Sequence, residues 1–185
     1  MKVLGLDVST SITGVCLLER VDGEDPRILL IDHVDFKSCD GFWEKADLAR
    51  DFFESQKLLT LVGEKLDAVF VEESLQSFRT GLSSAATITT LAKFNSLVSY
   101  FARQKFKMDP HYIAATSARK LCGIKVQKTA VCGKNAKEQT FEWATNGPLK
   151  EVKWPLKKNG QPKDWSRDAT DAYVIARAGI AQLSK

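Results

Sequence analysis

Asp7, Glu72, Asp168 and Asp171 are four carboxylates set where acids are out of place. Asp7 interrupts the apolar run Val3-Leu4-Gly5-Leu6-Asp7-Val8, and Glu72, followed by Glu73, ends the run Ala68-Val69-Phe70-Val71. Asp168 and Asp171 open a helical pattern, Ser166-Arg167-Asp168-Ala169-Thr170-Asp171-Ala172-Tyr173-Val174-Ile175-Ala176. Their three-residue offset puts both on one helix face. A carboxylate taken out of water without a partner is strongly disfavoured or takes up a proton. Several such groups drawn together need cations, and an oxygen-only set suits Mg²⁺ or Mn²⁺.

The charge distribution says what such a centre acts on. Residues 1–100 hold 10 Lys and Arg against 16 Asp and Glu, whereas residues 101–185 hold 17 against 7. Basic residues gathered in one half and interleaved with aromatics (Arg103, Lys105, Phe106, Lys107; Lys150, Lys153, Trp154, Lys157, Lys158) suit a polyanion such as nucleic acid. Acids and basic surface together predict a metal-dependent nuclease. Trp154 and Trp165 are placed either to stack on bases or to cap the core from a loop.

Other classes are disfavoured. Cys16, Cys39, Cys122 and Cys132 show no CxxC spacing, and with only His33 and His111 beside them a zinc site is not expected; reduced, partly buried thiols are. No apolar stretch approaches the roughly 18–20 residues that span a bilayer. The N-terminus meets an acid too early for a secretory signal, so no membrane and a cytoplasmic location are expected.

The elements that must position the acids are legible from periodicity. Residues 2–8, 12–20 and 28–36 read as three strands with short connections, an antiparallel meander. Leu48, Phe52, Leu59, Val62 and Leu66 then follow helical spacing through 43–66. Strand 67–72, a Ser/Thr/Gly loop at 74–84 and a helix near 85–105, with Ile88, Leu91, Val98 and Phe101 inward, come next. Strand 111–115 precedes a short helix capped by Thr116 or Ser117 and ending at Cys122-Gly123. A helix near 134–145, an aperiodic loop over 147–165, and a last helix capped by Ser166 and running to about 183 complete the chain. The order predicts a mixed five-stranded α/β sheet, three antiparallel strands and then two parallel ones, flanked by helices. Strands one and four become neighbours, so Asp7 meets Glu72 and the last helix brings Asp168 and Asp171 to the same end.

At these residues the chain resembles the RuvC group of Holliday-junction resolvases, within the RNase H-like nuclease superfamily. Leu4-Gly5-Leu6-Asp7-Val8-Ser9-Thr10-Ser11-Ile12-Thr13-Gly14 is similar to the group's Gly-Ile-Asp-Pro-Gly-Ser-x-x-Thr-Gly block. Val71-Glu72-Glu73 resembles its Ile-Glu-Gln, Gly133-Lys134-Asn135-Ala136-Lys137 its Gly-x-x-x-Lys segment, and Asp168-Ala169-Thr170-Asp171-Ala172 its Asp-x-x-Asp-Ala helix. Val8 and Ser9 replace the group's proline and glycine, its junction-opening aromatic falls on Leu75 with Phe78 nearby as a substitute, and the basic loop 147–165 is atypical. These departures point to a divergent or phage-type relative.

The resemblance implies a single RNase H-like nuclease domain over 1–185 that resolves branched DNA, acting as a homodimer. It implies hydrolysis with two Mg²⁺ ions, Mn²⁺ able to substitute, one activating a water and the other stabilising the leaving 3′ oxygen. Asp7, Glu72, Asp168 and Asp171 would ligate them, Glu72 rather than Glu73 being the match, and Lys137 would meet the scissile phosphate. Lys134, Arg119, Lys120 and Lys128 are further candidates for backbone contacts, with Phe78 for the junction. Alternatives are an RNase H-like nuclease cutting flaps or RNA–DNA hybrids, an idle binding module, and a sugar-kinase or actin-like phosphate-binding domain. The last needs a second domain for which the chain has no room, and the intact set of acids argues against the idle module.

Overall fold

The strand that carries Asp7 lies at the middle of the sheet. The computed structural model describes residues 1–73 and 85–184. Strands β1 (Lys2–Asp7), β2 (Ile12–Glu19), β3 (Arg27–Asp35), β4 (Ala68–Glu72) and β5 (His111–Ile113) form one sheet in the order β3-β2-β1-β4-β5. β1 and β3 both run antiparallel to β2, while β4 is parallel to β1 and β5 is parallel to β4. This is the mixed sheet that the order of elements predicts.

Seven helices are described: α1 (Phe42–Glu54), α2 (Gln56–Val62), α3 (Ala85–Phe106), α4 (Ala115–Leu121), α5 (Thr129–Cys132), α6 (Ala136–Thr145) and α7 (Trp165–Leu183). Strand alternation divides the core in two. Leu4, Leu6, Val15, Leu17, Val69 and Val71 pack with Ala49, Phe53, Leu58, Val62, Phe94, Val98 and Ala102 of α1, α2 and α3. On the other face, Val3, Cys16, Leu18, Ala68 and Phe70 pack with Ala118, Ala144 and the α7 residues Ala172, Tyr173, Ile175 and Ala176.

Several details differ from the sequence reading. The helix expected through 43–66 is two helices, because Ser55 is extended (φ −64°, ψ 133°) and its side chain accepts from the Leu58 N–H, a cap set inside the apolar pattern. The buried face of α1 is also turned from the expected one: Ala46, Ala49 and Phe53 are buried, whereas Leu48 is 36% exposed. On α3 the expected Val98 is buried together with Phe94, Asn95, Ser99 and Ala102. Neither Thr116 nor Ser117 caps α4, which starts after Ala114 with no side-chain cap. α7 begins one residue before Ser166, after Asp164, and Ser166 is buried within its first turn.

Candidate active site

Alternation decides which face each acid shares. Asp7 follows Val3 and Gly5 onto the α7 side of β1, and Glu72 follows Ala68 and Phe70 onto the same side of β4. Leu6 pairs with Val71 in parallel register, so Asp7 and Glu72 sit side by side at the carboxyl ends of adjacent strands. The two carboxyl groups are near enough for the charge on Asp7 to act on Glu72. Asn95, buried on α3, fixes the end of β4 by donating from Nδ2 to the Glu72 carbonyl at 2.9 Å.

Two glycines let α7 lie directly on the sheet. A Cβ on Gly5 would stand 2.3 Å from the Ala172 carbonyl oxygen, and one on Gly14, the cross-strand partner of Asp7, only 2.0 Å from the Asp168 carbonyl oxygen. The glycine of the opening block is therefore the seat for the helix turn that carries Asp168. Ser9 closes the intervening turn, its hydroxyl accepting from the Ile12 N–H at 3.1 Å and donating to the Ile12 carbonyl at 2.7 Å. Lys45 secures the same turn, donating to the Thr10 carbonyl at 2.8 Å.

Lys137 reaches the acids from α6. Asn135 and Glu138 form a reciprocal cap that fixes the start of this helix. The Lys137 Nζ then lies 3.1 Å from Asp7 Oδ2, 2.6 Å from Asp168 Oδ1 and 3.2 Å from Asp171 Oδ2. Arg119 of α4 approaches from the other side, its Nη2 3.5 Å from Asp171 Oδ1 and its Nε donating to Thr140 Oγ1 at 2.9 Å. Thr140 in turn donates to the Ala136 carbonyl at 2.7 Å, so α4, α6 and α7 are tied together beneath the cluster.

The electrostatics of the cluster are unbalanced. Burial disfavours the Lys137 charge, but Asp7, Asp171 and Asp168 outweigh it and hold the ammonium well above its ordinary range. Even so Glu72, Asp168 and Asp171 remain hard to ionise. Burial, then the charges of Asp7 and Asp171, push Glu72 up to about 8. Burial and Asp7 push Asp171 up to about 6 against the pull of Lys137 and Arg119. Asp168 is raised by burial, with Lys137 offsetting part of the effect. Among the described residues, one ammonium and one guanidinium form ion pairs with this group of four carboxylates, so full ionisation leaves those contacts short of two positive charges.

That deficit is the test of whether a divalent ion fits. Among the described residues no group of three or more His, Cys, Asp or Glu side chains is set ready around an ion. The carboxylates close on the Lys137 ammonium instead. Donor chemistry nonetheless fits a hard divalent cation: the donors are carboxylate oxygens, they already converge on a cation, and the uncompensated charge equals that of one such ion.

A pH effect follows. Between its ordinary 4.5 and about 8, Glu72 keeps in the folded chain a proton that the unfolded chain has released. Asp171, raised to about 6 from 3.8, acts in the same sense. Stability of the metal-free protein should therefore fall as pH rises through this range. Asp32, Asp67 and Asp164, which are lowered, act in the opposite sense but at more acidic pH. Melting temperature is expected to drop by about 3–10 °C between about pH 5.5 and about pH 8.5. A flat or rising profile in calorimetry would show that the buried acids are not short of cations.

The remaining candidates are scattered. Arg119 is partly buried, held between Thr140 and Asp171. Lys134 pairs with Glu142 on the exposed side of α6. Lys120 is exposed and, with Thr116, Arg119, Lys125 and Val126, lines a cavity of about 420 Å³ beside the cluster. Lys128 is exposed at the start of α5. Phe78 and Leu75, with the loop at 74–84, lie outside the described residues. Trp154 packs against the α7-side core and Trp165 stacks on His33, so capping rather than base stacking is what the structure shows of both rings.

Sequence reasoning missed Asn95, Thr140 and Lys37. Lys37 follows β3 and is close enough to act electrostatically on both Asp164 and Asp168. Asn95 was detectable as a polar residue among Leu91, Phe94 and Val98 on an inward helix face; Thr140 and Lys37 carry no comparable signal.

No family model and no curated protein matches the sequence. Solved structures do match. RuvC of Thermus thermophilus in complex with a Holliday junction substrate aligns over 100% of this chain and 96% of that one, with TM-score 0.68 and 16% identity. The yeast mitochondrial Holliday junction resolvase Ydc2 aligns over 98% of this chain and 78% of its own, with TM-score 0.56 and 15% identity. The Fowlpox virus resolvase, solved with substrate Holliday junction DNA, aligns over 100% of both chains, with TM-score 0.50 and 14% identity. The chain has the RNase H-like fold that these resolvases share.

Proposed function

We propose that this chain is a divalent-cation-dependent endonuclease that cuts four-way DNA junctions. The observation that carries the reading is the convergence of Asp7, Asp168 and Asp171 on Lys137, with Glu72 beside Asp7, on a fold shared with resolvases solved on junction DNA. Acids from β1, β4 and α7 meet at the carboxyl ends of two adjacent strands of the sheet.

Asp7, Glu72, Asp168 and Asp171 would hold Mg²⁺ or Mn²⁺. When bound, such ions polarise the phosphate, lower the pKa of water and offset charge on the departing oxygen. The chain's own groups do the rest. Asp7 and Asp171, both buried, hold negative charge at fixed positions in a poorly solvated pocket. Lys137 contributes a permanent cation able to turn from the carboxylates to a phosphate oxygen, and Arg119 keeps Asp171 oriented while that happens. Exposed Lys120, Lys125 and Lys128 contact backbone phosphates, which position DNA without reading its sequence. A homodimer would set two such centres for symmetric nicks.

The test is a panel of end-labelled substrates in Mg²⁺: four-way junction, flap, RNA–DNA hybrid and linear duplex. Paired, symmetric nicks in the junction are expected, with linear duplex uncut. Preferential cutting of the hybrid or the flap would replace the junction assignment with one of the other RNase H-like activities.

A further inference from the structure

The segment 147–165 is built as an anchored basic finger. Pro155 to Lys163 fold back on themselves: the Lys157 N–H donates to the Gln161 carbonyl at 2.7 Å and the Lys163 N–H to the Pro155 carbonyl at 2.9 Å, with a bridge between Leu156 and Pro162. The tip is closed by the Gly160 N–H on the Lys157 carbonyl at 3.0 Å, Gly160 adopting φ 78°, and by the Gln161 N–H on Asn159 Oδ1 at 3.2 Å. A stretch of this length without helix or strand ladder loses much chain entropy on ordering, and long loops that are nonetheless ordered are commonly functional.

Aromatic rings hold its two ends. Trp165 stacks on His33 of β3 at 4.2 Å with planes 7° apart, and Trp154 meets Trp165 edge-on at 6.0 Å and Phe141 at 5.7 Å. The Arg167 guanidinium lies 6.0 Å over the Phe141 ring. The finger is thus clasped to β3, α6 and the first turn of α7. Trp165 precedes Asp168 by three residues, about 4.5 Å along the helix axis. Asp164, at the finger's base, and Asp168, in the acidic cluster, stand four residues apart at the start of α7.

Its charge has no internal use. Residues 147–165 hold five lysines against Glu151 and Asp164. Lys157 is spent on Asp164 at 2.6 Å, but Lys153, Lys158 and Lys163 are exposed and have no ion-pair partner among the described residues. A stack of rings that fixes unpaired lysines beside an acidic pocket is a device for gripping a polyanion next to the reacting centre.

We propose that the finger 153–163 grips the phosphate backbone of the duplex arm flanking the cut strand, through Lys153, Lys158 and Lys163. The proposal rests on the junction-nuclease reading and adds an arm contact to it. In an Asp7→Asn background, junction binding is measured by anisotropy from about 50 to 300 mM KCl for the parent, K153Q/K158Q/K163Q and K153R/K158R/K163R. The glutamine triple is expected to lose about 2–3 from the magnitude of the log–log salt slope and to bind roughly 10- to 100-fold more weakly at about 150 mM salt. The arginine triple should retain both, and circular dichroism should show all three folded. A glutamine triple with the parental slope and affinity overturns the finger while leaving the nuclease reading intact, and so does an arginine triple that loses as much as the glutamine one. A parent that binds neither junction nor duplex overturns both.

Discussion

Asp7→Asn is expected to reduce junction cutting by on the order of 10³-fold or more while junction affinity stays within about threefold, because affinity comes from phosphate contacts elsewhere. The amide keeps the size and one acceptor oxygen of the carboxylate, so packing against β2 and α7 is preserved. What is lost is one negative charge at the point where β1 and β4 end together. That change also separates catalysis from folding. The Asp7 charge is among the causes that push up Glu72 and Asp171, so removing it relieves repulsion. The metal-free variant should melt no lower than the parent at alkaline pH. Rapid single-turnover cleavage by the variant would contradict the assignment of Asp7, whereas lost cutting with an equally lost fold would leave a purely structural acid.

Gly14→Ala is expected to damage both the fold and the site. The added methyl would stand 2.0 Å from the Asp168 carbonyl oxygen and 2.8 Å from the Ala169 nitrogen, all backbone atoms that cannot rotate away. The first turn of α7 must lift from β2 or the helix must slide. Overpacking of this kind costs about 1–3 kcal/mol or more, which for a chain of this size lowers the melting temperature by roughly 3–10 °C. Because the lifted turn carries Asp168, whose Oδ1 is 2.6 Å from Lys137, cutting should fall even in the fraction that remains folded. Gly23→Ala, where a Cβ meets nothing within 4 Å although φ is +85°, supplies the comparison: some backbone strain, cutting retained. A Gly14→Ala protein that melts and cuts like the parent would show that α7 is not seated as described.

The acids were legible because strand alternation and helical spacing are strong constraints. Alternation alone sends Asp7, Glu72 and Gly14 to one face, and the resemblance of the blocks chose Glu72 over Glu73. In the fold Glu72 ends β4 beside the end of β1, on the face that Asp7 shares. Helix ends were less legible. Ser55 broke an apolar pattern that fits one long helix as well as two, since the residues on either side pack into the same core. Ser166 looked like a cap, yet the chain is already helical at Trp165, whose ring stacks on His33.

Long-range partnerships were the least legible. Lys137 was identified from its block, but nothing local shows one ammonium reaching three carboxylates contributed by β1 and α7. Arg119 read as a candidate for DNA-backbone contact; its partly buried position depends on Thr140, one turn beyond Ala136 on another helix. The finger at 153–163 had no periodicity to read, since its order comes from rings that meet only in the folded chain.

Mn²⁺ uptake, followed by the loss of the free-ion electron paramagnetic resonance signal, tests the shared cation pocket most directly. The parent is expected to bind at least one ion per chain, with Asp7→Asn losing at least one and Glu151→Gln, in the turn ahead of the finger, losing none. Equal uptake by the parent and Asp7→Asn, or no uptake by the parent at millimolar Mn²⁺, would contradict the account.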